Sequence, residues 1–388
     1  MAAAEQETLP ATVSVTAASV VAVYAAGEQR LLTSSAALVQ AAIANPATAT
    51  SLRTRLRALA AEVSKGILAR VTTMAAQVAD MAVRNGNSTA ARQIRSLERH
   101  HRGFHASPVS TLLPHNVTAS AAIAEELGST LTAAAHRMTR FADDAYRAAT
   151  IGGALTGINP AYDIIKDVMA RAAPAEAQAQ AWRELTAKGI TGFTDSAGRE
   201  WNLSTYVEMA VRTATQRAYN ASHRERLTQA GIHYFTPSNT GRPCKLCAPW
   251  EGKVLADRGE GTVTEPHATG GEPVTFHVAA TIAEAMTAGL FHPNCEHTLT
   301  AYLPGATVLR TTEWTDQDEE RYRNTQRLRA LEREVRKHKQ VQAAALTDTD
   351  RQLAARKVRA AQASIREFVD ATGLNRRSRR EQLNLGNK

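Results

Sequence analysis

The sequence predicts a mostly α-helical protein with a small α+β central domain and long helical extensions at the N- and C-termini. Three observations lead there. Apolar side chains recur every three or four positions over long stretches. Hydrophobic residues are 44% of the chain but aromatics only 5%, with alanine supplying much of the count, so thin helix-on-helix contacts are expected over a deep aromatic core. Strand-like runs and all three cysteines are confined to the region from about residue 190 to 305.

In chain order, residues 14–45 are rich in Ala, Val, Ser and Thr with almost no charge, which predicts a buried or partner-packed helix that stops before Pro46. From Leu52, the spacing of Leu56, Leu59, Val63, Ile67, Val71, Met74 and Val78 places one apolar stripe on a long amphipathic helix. Asn85-Gly86 is expected to end it as a C-cap pair. Residues 86–117 read as a loop, and their His100, His101 and His105 have no cysteine or carboxylate at ligand spacing. Helices are predicted over 118–150 and 174–188, separated by the Gly152-Gly153 and Asn159-Pro160 breakers.

A small hairpin is expected between Gly192 and Leu203, turning at Asp195 to Gly198. Thr205 and Glu208 then form the pattern of a capping box, opening a helix that Gly231 closes. Ile232 to Phe235 and Gly252 to Leu255 read as strands, and 256–275 as a flexible loop rich in Gly, Thr, Glu and Pro. A charged helix is predicted from Asp316 with Leu328, Leu331 and Val335 as its apolar stripe. After a break at Thr347 to Asp350, another runs through Phe368. The resulting division is an alanine-rich helical region over 1–117, a helical connector over 118–191, the α+β core over 192–305, and basic helices with a tail over 306–388.

The net charge of +9 is uneven. Residues 319–388 hold 18 Lys/Arg against 9 Asp/Glu, while residues 1–318 balance at 28 of each. A basic tail on a neutral body points to an acidic partner for that end alone, the alternative being a solvated helix surface. The basic residues are spread around the helices, which suits contact with a phosphate backbone and not base readout by a free regulator. Arg336, Lys337, Lys339, Arg376, Arg377, Arg379 and Arg380 are the candidate nucleic-acid contacts. From Leu374 to Gln382 the chain has no apolar rhythm, and its order is expected to depend on a partner.

Cys244, Cys247 and Cys295 leave one thiol over in any disulfide scheme, which fits a reducing compartment. The N-terminus lacks the basic region of a signal peptide, and no run approaches the roughly 18 apolar residues of a membrane span. A protein made and kept in a cytoplasm is expected.

The only motif with chemistry is split in two. Pro243-Cys244-Lys245-Leu246-Cys247 offers two thiolates from one turn, and His292-Pro293-Asn294-Cys295-Glu296-His297 offers a third with two imidazoles. Four of Cys244, Cys247, Cys295, His297 and His292 would complete a tetrahedral zinc site with no open position, a staple and not a catalyst. His292 precedes proline and is also suited to fixing the turn, so Cys295 and His297 are the preferred second pair. A reduced packing cluster and redox chemistry stay open beside zinc. A Cys295 nucleophile with His292 as base lacks an oxyanion-hole motif and an orienting carboxylate at a recognisable spacing. Walker, GxGxxG, HExxH and GxSxG motifs do not occur. On the preceding helix Arg217 and Asn220 are placed to bond backbone carbonyls of the cysteine loop.

The run Ser204 to Thr213, then Ala218-Tyr219-Asn220, then Pro243-Cys244-x-x-Cys247-x-x-Trp250-Glu251-Gly252-Lys253-Val254, then His292-Pro293-Asn294-Cys295-x-His297, resembles the phage minor capsid protein family, minor capsid protein 2, which is related to the Mu F-like head morphogenesis proteins. The hairpin with Ala197-Gly198-Arg199-x-Trp201, and the tail with Glu332-Arg333-x-x-Arg336-Lys337 and Arg380-Glu381-Gln382, are similar to actinophage members. Trp250, Gly252 and Pro293 take structural roles by this resemblance, which covers roughly 150–388. The family pattern often has a small or basic residue where Glu296 stands.

The resemblance implies a protein present in few copies, associated with portal protein and with major capsid or scaffold proteins inside the phage head. In some relatives it follows DNA into the cell. Its place would be the virion, and the host cytoplasm during assembly, with the basic C-terminal region facing packaged double-stranded DNA. Some relatives carry an appended protease or toxin, but nothing beyond residue 305 resembles an enzyme. The competing reading is a cysteine hydrolase or capsid maturation protease, or a nucleotide-dependent transferase, fused to a head-protein domain.

Overall fold

The computed structural model describes residues 11–107, 117–150, 174–194, 198, 200–240, 243–293, 295–311 and 313–385. Eight helices lie among them: α1 (Ala11–Ala44), α2 (Leu52–His100), α3 (Val117–Thr150), α4 (Pro174–Lys188), α5 (Leu203–Gln229), α6 (Ile282–Thr287), α7 (Asp316–Ala343) and α8 (Asp348–Thr372). The strands are β1 (Thr191–Thr194), β2 (Glu200–Asn202), β3 (Tyr234–Pro237), β4 (Val254–Ala256), β5 (Gly261–Glu265), β6 (Val274–Thr281) and β7 (Leu299–Ala301). The fold is mostly α with a small α+β part, as the periodicities require. The breakers expected at 152–160 and most of the turn at 195–198 lie outside the described residues.

The chain divides into two compact units. One comprises Met1–Ala17, Thr73–Gly128 and Met209–Arg323, and the other Ala18–Thr72, Ser129–Glu208 and Asn324–Lys388.

In the second unit, alanines and small residues let helices approach closely. Ala60, Ala134, Ala135 and Ala142 are buried, and a side chain on Gly27 would meet Ile67 Cδ1 at 2.8 Å. Several polar atoms between these helices are paired, as burial favours. Tyr24 donates to the Leu131 carbonyl at 2.6 Å, and Ser64 to that of Ala135 at 3.0 Å. Trp182 lies fully inside and donates Nε1–H to Ala344 O at 2.7 Å. Glu28, a carboxylate in an otherwise nearly uncharged run, is buried with three donors. Its Oε1 accepts from Ile190 N at 3.1 Å and Asn202 Nδ2 at 2.7 Å, and its Oε2 from Ser204 Oγ. Burial pushes this carboxyl above its ordinary range against the pull of those hydrogen bonds.

The hairpin pairs β1 with β2 antiparallel, Phe193 opposite Trp201. Here the helix start differs from expectation. α5 begins at Leu203, and Asn202 Oδ1 accepts from Thr205 N at 3.5 Å, so Asn202 and not Thr205 faces the first free N–H groups. Glu208 is released from a capping box and instead holds Arg380, one contact being 2.9 Å.

In the first unit, five strands run in the order β5-β6-β4-β3-β7, antiparallel except for the parallel pair β4/β6. One apolar cluster joins Ala90 and Ile94 of α2 and Leu227 of α5 to Phe235, Leu255, Ala280 and Leu299. A second collects Val254, Ala256, Val278 and Tyr302. The expected loop over 256–275 is interrupted by a strand and runs into another: β5 pairs with β6, and Thr264 and Thr275 hydroxyls meet at 2.9 Å. Its Gly and Pro content masked an alternating Thr-Val-Thr pattern.

α2 does not stop at Asn85-Gly86 but continues to His100, so the loop is shorter than expected. Gly86 is a packing residue. A Cβ there would stand 2.5 Å from the Tyr219 carbonyl, so its absence lets α5 lie against α2. Ser222 then donates to Val83 O at 2.7 Å.

The C-terminal helices form as predicted, α7 and α8 meeting through Leu328, Val335, Val358 and Ile365. Thr347 caps α8. The tail beyond is ordered within the chain itself: Arg376 grips buried Glu381 in a bidentate pair at 2.7 and 2.9 Å, and Leu385 is buried. Charge pairing supplies the order that the missing apolar rhythm could not.

Candidate metal centre

Sheet register brings the two halves of the Cys/His motif together. The CxxC turn lies in the β3–β4 connection and the second half in the α6–β7 connection. Because β3 pairs with both strands, Pro237 opposite Leu299, the chain leaving β3 runs beside the chain entering β7. Two bonds fasten them, Ser238 N to Thr298 O at 2.8 Å and Thr298 N to Ser238 Oγ at 3.0 Å.

The first half is a tight turn, with Cys247 N and Ala248 N both donating to Cys244 O at 3.0 and 2.9 Å. Trp250 packs on the neighbouring core cluster. Gly252 has φ 73°, and a Cβ on it would sit 2.5 Å from Arg310 O. The second half begins with Phe291, buried and left-handed at φ 59°, an unfavourable conformation for a bulky residue that its place in the core holds. Cys295 N then closes on His292 O at 2.9 Å. Asn294 lies outside the described residues, and Pro293 is exposed.

Within this frame Cys244 Sγ stands 2.9 Å from His292 Nε2, Cys247 Sγ 3.5 Å from Cys295 Sγ, and Cys295 Sγ 3.4 Å from His297 Nδ1. Two triads result, Cys244/Cys247/His292 and Cys247/Cys295/His297, and they share Cys247. Each imidazole is oriented through its other nitrogen. His292 Nδ1–H donates to Pro293 O, and His297 Nε2–H to Glu251 Oε1, both at 2.8 Å. That leaves His292 Nε2 and His297 Nδ1 turned toward sulfur, the arrangement by which outer partners fix metal-binding histidines. Backbone is recruited too: Gln216 Nε2 donates to His297 O, and Asn220 Nδ2 does so at 3.4 Å.

The charges fit a cation. A hydrogen bond from the Cys247 thiol and the neighbouring His292 hold Cys244 down to about 3. The same thiol and His297 hold Cys295 down to about 5. Cys247, flanked by both thiolates, is pushed far up. Burial works against a charged His297, but its bonds to Cys295 and Glu251 outweigh it and raise the ring to about 9. Three sulfurs therefore do not ionise together unaided, whereas a dication among them would stabilise all three thiolates.

Sequence reasoning named all five donors, set Cys295 with His297 as the second ligand pair, and joined Cys295 to His292 only in the nucleophile-and-base alternative. The structure pairs it with His297, and it supplies the orienting carboxylate, Glu251, which no spacing rule identifies. Gln216 was also missed, one position from the expected Arg217. Arg217 instead pairs with Glu126 at 3.1 Å.

The seven basic candidates divide. Arg336 is 9% exposed and donates to Arg380 O, while Arg376 and Arg380 are engaged by Glu381 and Glu208. Lys339 donates to Gln382 at 2.9 Å and Lys337 pairs with Glu334 at 3.5 Å. Arg377 and Arg379 are exposed.

Comparison with known proteins places this architecture. The phage minor capsid protein 2 family matches residues 9–370. The chain belongs to that family. It is also 27% identical over 228 residues to a "Structural protein" of Lactococcus phage LL-H, a match covering 55% of this chain and 60% of that relative, so the chain spans less than two thirds of the relative's length. No solved structure matches. Membership makes this a bacteriophage structural protein of the virion. Among the described residues no helix is long and apolar enough to cross a membrane.

Proposed function

We propose that this minor capsid protein is a structural connector of the phage head. In this reading its alanine-rich N-terminal helices dock on portal protein and on major capsid or scaffold proteins. A zinc-stapled α+β knob gives it rigidity, and its basic C-terminal region faces packaged double-stranded DNA in the head interior, after assembly in the host cytoplasm. The observation that carries the reading, beyond family membership, is that five Cys and His donors converge on one another with their outer nitrogens tied off. Four of them would complete a tetrahedron around one ion, which suits a staple for a small sheet with a limited core.

The test is metal analysis of purified protein together with co-purification against the portal. One zinc per chain, lost with thermal stability in Cys295→Ser, and retention on immobilised portal are the expected results. A metal-free protein whose melting is unchanged in Cys295→Ser overturns the staple, and failure to co-purify overturns the connector.

One observation favours a second reading, a cysteine hydrolase: Cys295, His297 and Glu251 stand in the order nucleophile, base, orienting carboxylate. Against it, His297 is 3% exposed and Cys247 Sγ stands 3.5 Å from the Cys295 sulfur. In an enzyme, Cys295→Ser abolishes turnover and leaves the fold intact.

A further inference from the structure

The basic residues of the C-terminal region are not equivalent, and those that stand out lie on α8. Between Arg351 and Arg366 the chain has five Lys/Arg and no Asp/Glu. α7, by contrast, interleaves its cations with carboxylates, as in the Lys337–Glu334 and His338–Glu334 pairs. At 100° per residue, Arg356, Arg359 and Arg366 fall within a sector of about 80° on α8, away from the Val358 and Ile365 stripe that packs on α7, and the C-terminal end of that sector also carries the exposed Glu367 and Asp370. All three are exposed, and none has an acidic partner among the described residues. Like charges on one helix face repel, at about 0.2–0.5 kcal/mol for adjacent turns, and a carboxylate at any of these positions would serve the helix equally well. Arg356, Arg359 and Arg366 take no part in the apolar packing of α8 on α7, which leaves them open to an acidic partner.

We infer that the outer face of α8, through Arg356, Arg359 and Arg366, is a sequence-independent binding surface for the phosphate backbone of duplex DNA. The inference rests on the DNA-facing reading above but moves the contact from the tail, where Arg376 and Arg380 are held by Glu381 and Glu208, onto a helix. The three positions span about 15 Å of helix, comparable to the axial rise of about four phosphates on one strand. Small neighbours on the same face, such as Ala363, allow close approach.

The full-length protein is titrated against a fluorescent 30-base-pair duplex of arbitrary sequence over a range of salt. The wild type is expected to bind with affinity falling steeply as salt rises. The triple variant Arg356→Gln, Arg359→Gln, Arg366→Gln should lose about three units of log-log salt slope, and on the order of several hundred-fold in affinity near 0.1 M salt. Circular dichroism shows that each variant is folded. The charge-matched control Arg95→Gln, Arg99→Gln, Arg102→Gln should keep the wild-type slope. Equal losses in both variants, or none in the α8 variant while the wild type binds, overturn this surface and leave the DNA-facing reading standing. A wild type that shows no salt-dependent binding overturns both.

Discussion

Glu251 accepts a hydrogen bond from His297 Nε2 at 2.8 Å with both side chains inside the protein, the carboxylate at 0% exposure. In the neutral ring this contact keeps the proton on Nε2 and leaves Nδ1, 3.4 Å from Cys295 Sγ, as the nitrogen open to a metal. Glu251 Oε1 also accepts from Thr240 N at 3.1 Å, so the carboxylate ties the ring to the chain that leads into the CxxC turn.

Glu251→Ala should therefore weaken zinc binding by about 10–100-fold, the usual effect of removing such an outer partner, while leaving every proposed ligand in place. Competition against a chromophoric chelator measures it. An unchanged affinity would show that His297 is not a ligand and that the metal uses His292.

Cys247 belongs to both triads, whereas Cys244 and Cys295 each belong to one. Cys247→Ser should thus be the most damaging single thiol substitution, lowering metal content and melting temperature more than Cys244→Ser. Stripping the metal with a chelator should lower the wild-type melting temperature and leave that of Cys247→Ser unmoved. If the chelator shifts both equally, the metal is bound elsewhere.

The Cys/His cluster was legible in the sequence because thiols and imidazoles at close spacing have few other uses, and so was the Cys295–His297 pair, but the contact of Cys244 with His292 was not. It depends on β3 lying between β4 and β7, a register that no local pattern encodes. Glu251 and Gln216 escaped for the same reason: each acts across a long loop, and nothing in its own neighbourhood distinguishes it from a surface residue. The long helices were legible, since stripes such as that from Leu56 to Val78 are carried by residue spacing, whereas the six-residue α6 was too short to show one. Helix ends were not legible. Asn85-Gly86 has the chemistry of a C-cap, yet α2 passes through it because a partner helix needs the space that glycine leaves.

That argument can be tested at the glycine. Glycine to alanine in a helix interior ordinarily stabilises by about 1 kcal/mol. At Gly86 the added Cβ would stand 2.5 Å from Tyr219 O and 3.1 Å from His223 N, both backbone atoms that cannot swing aside. Overpacking of this kind costs about 1–3 kcal/mol, so Gly86→Ala should be destabilising overall by urea titration. A more stable variant would mean that α2 and α5 do not pack as described.

Glu208 and Arg380 link the first turns of α5 to the tail, and both are largely buried. Glu208→Ala leaves Arg380 beside Arg336 without its carboxylate, and burial already lowers Arg336 to about 10. The expected loss is about 2–3 kcal/mol, below the full value for a buried pair because Arg380 is partly solvated. Trypsin should then cut between Arg376 and Arg380 much faster than in the wild type. An unchanged cleavage rate would place the order of the tail elsewhere, with Arg376 and Glu381.

His223 gives the last prediction. It is 1% exposed, lies parallel to the Tyr219 ring at 5.9 Å, and neither ring nitrogen has a hydrogen-bond partner. Burial lowers its pKa from 6.5 to about 4. The folded state thus holds the ring neutral in a range where the unfolded chain binds a proton. Its contribution is complete above pH 6.5, is lost as the pH falls from there to about 4, and reaches on the order of 3 kcal/mol. Carboxylates and the metal site also respond to acid in this window, so the comparison must be a difference. His223→Phe, which keeps an aromatic ring against Tyr219 and cannot titrate, should melt with a shallower decline between pH 6.5 and 4 than the wild type. Parallel curves for the two proteins would show that His223 is hydrated or paired in solution and does not set the acid limit of the fold.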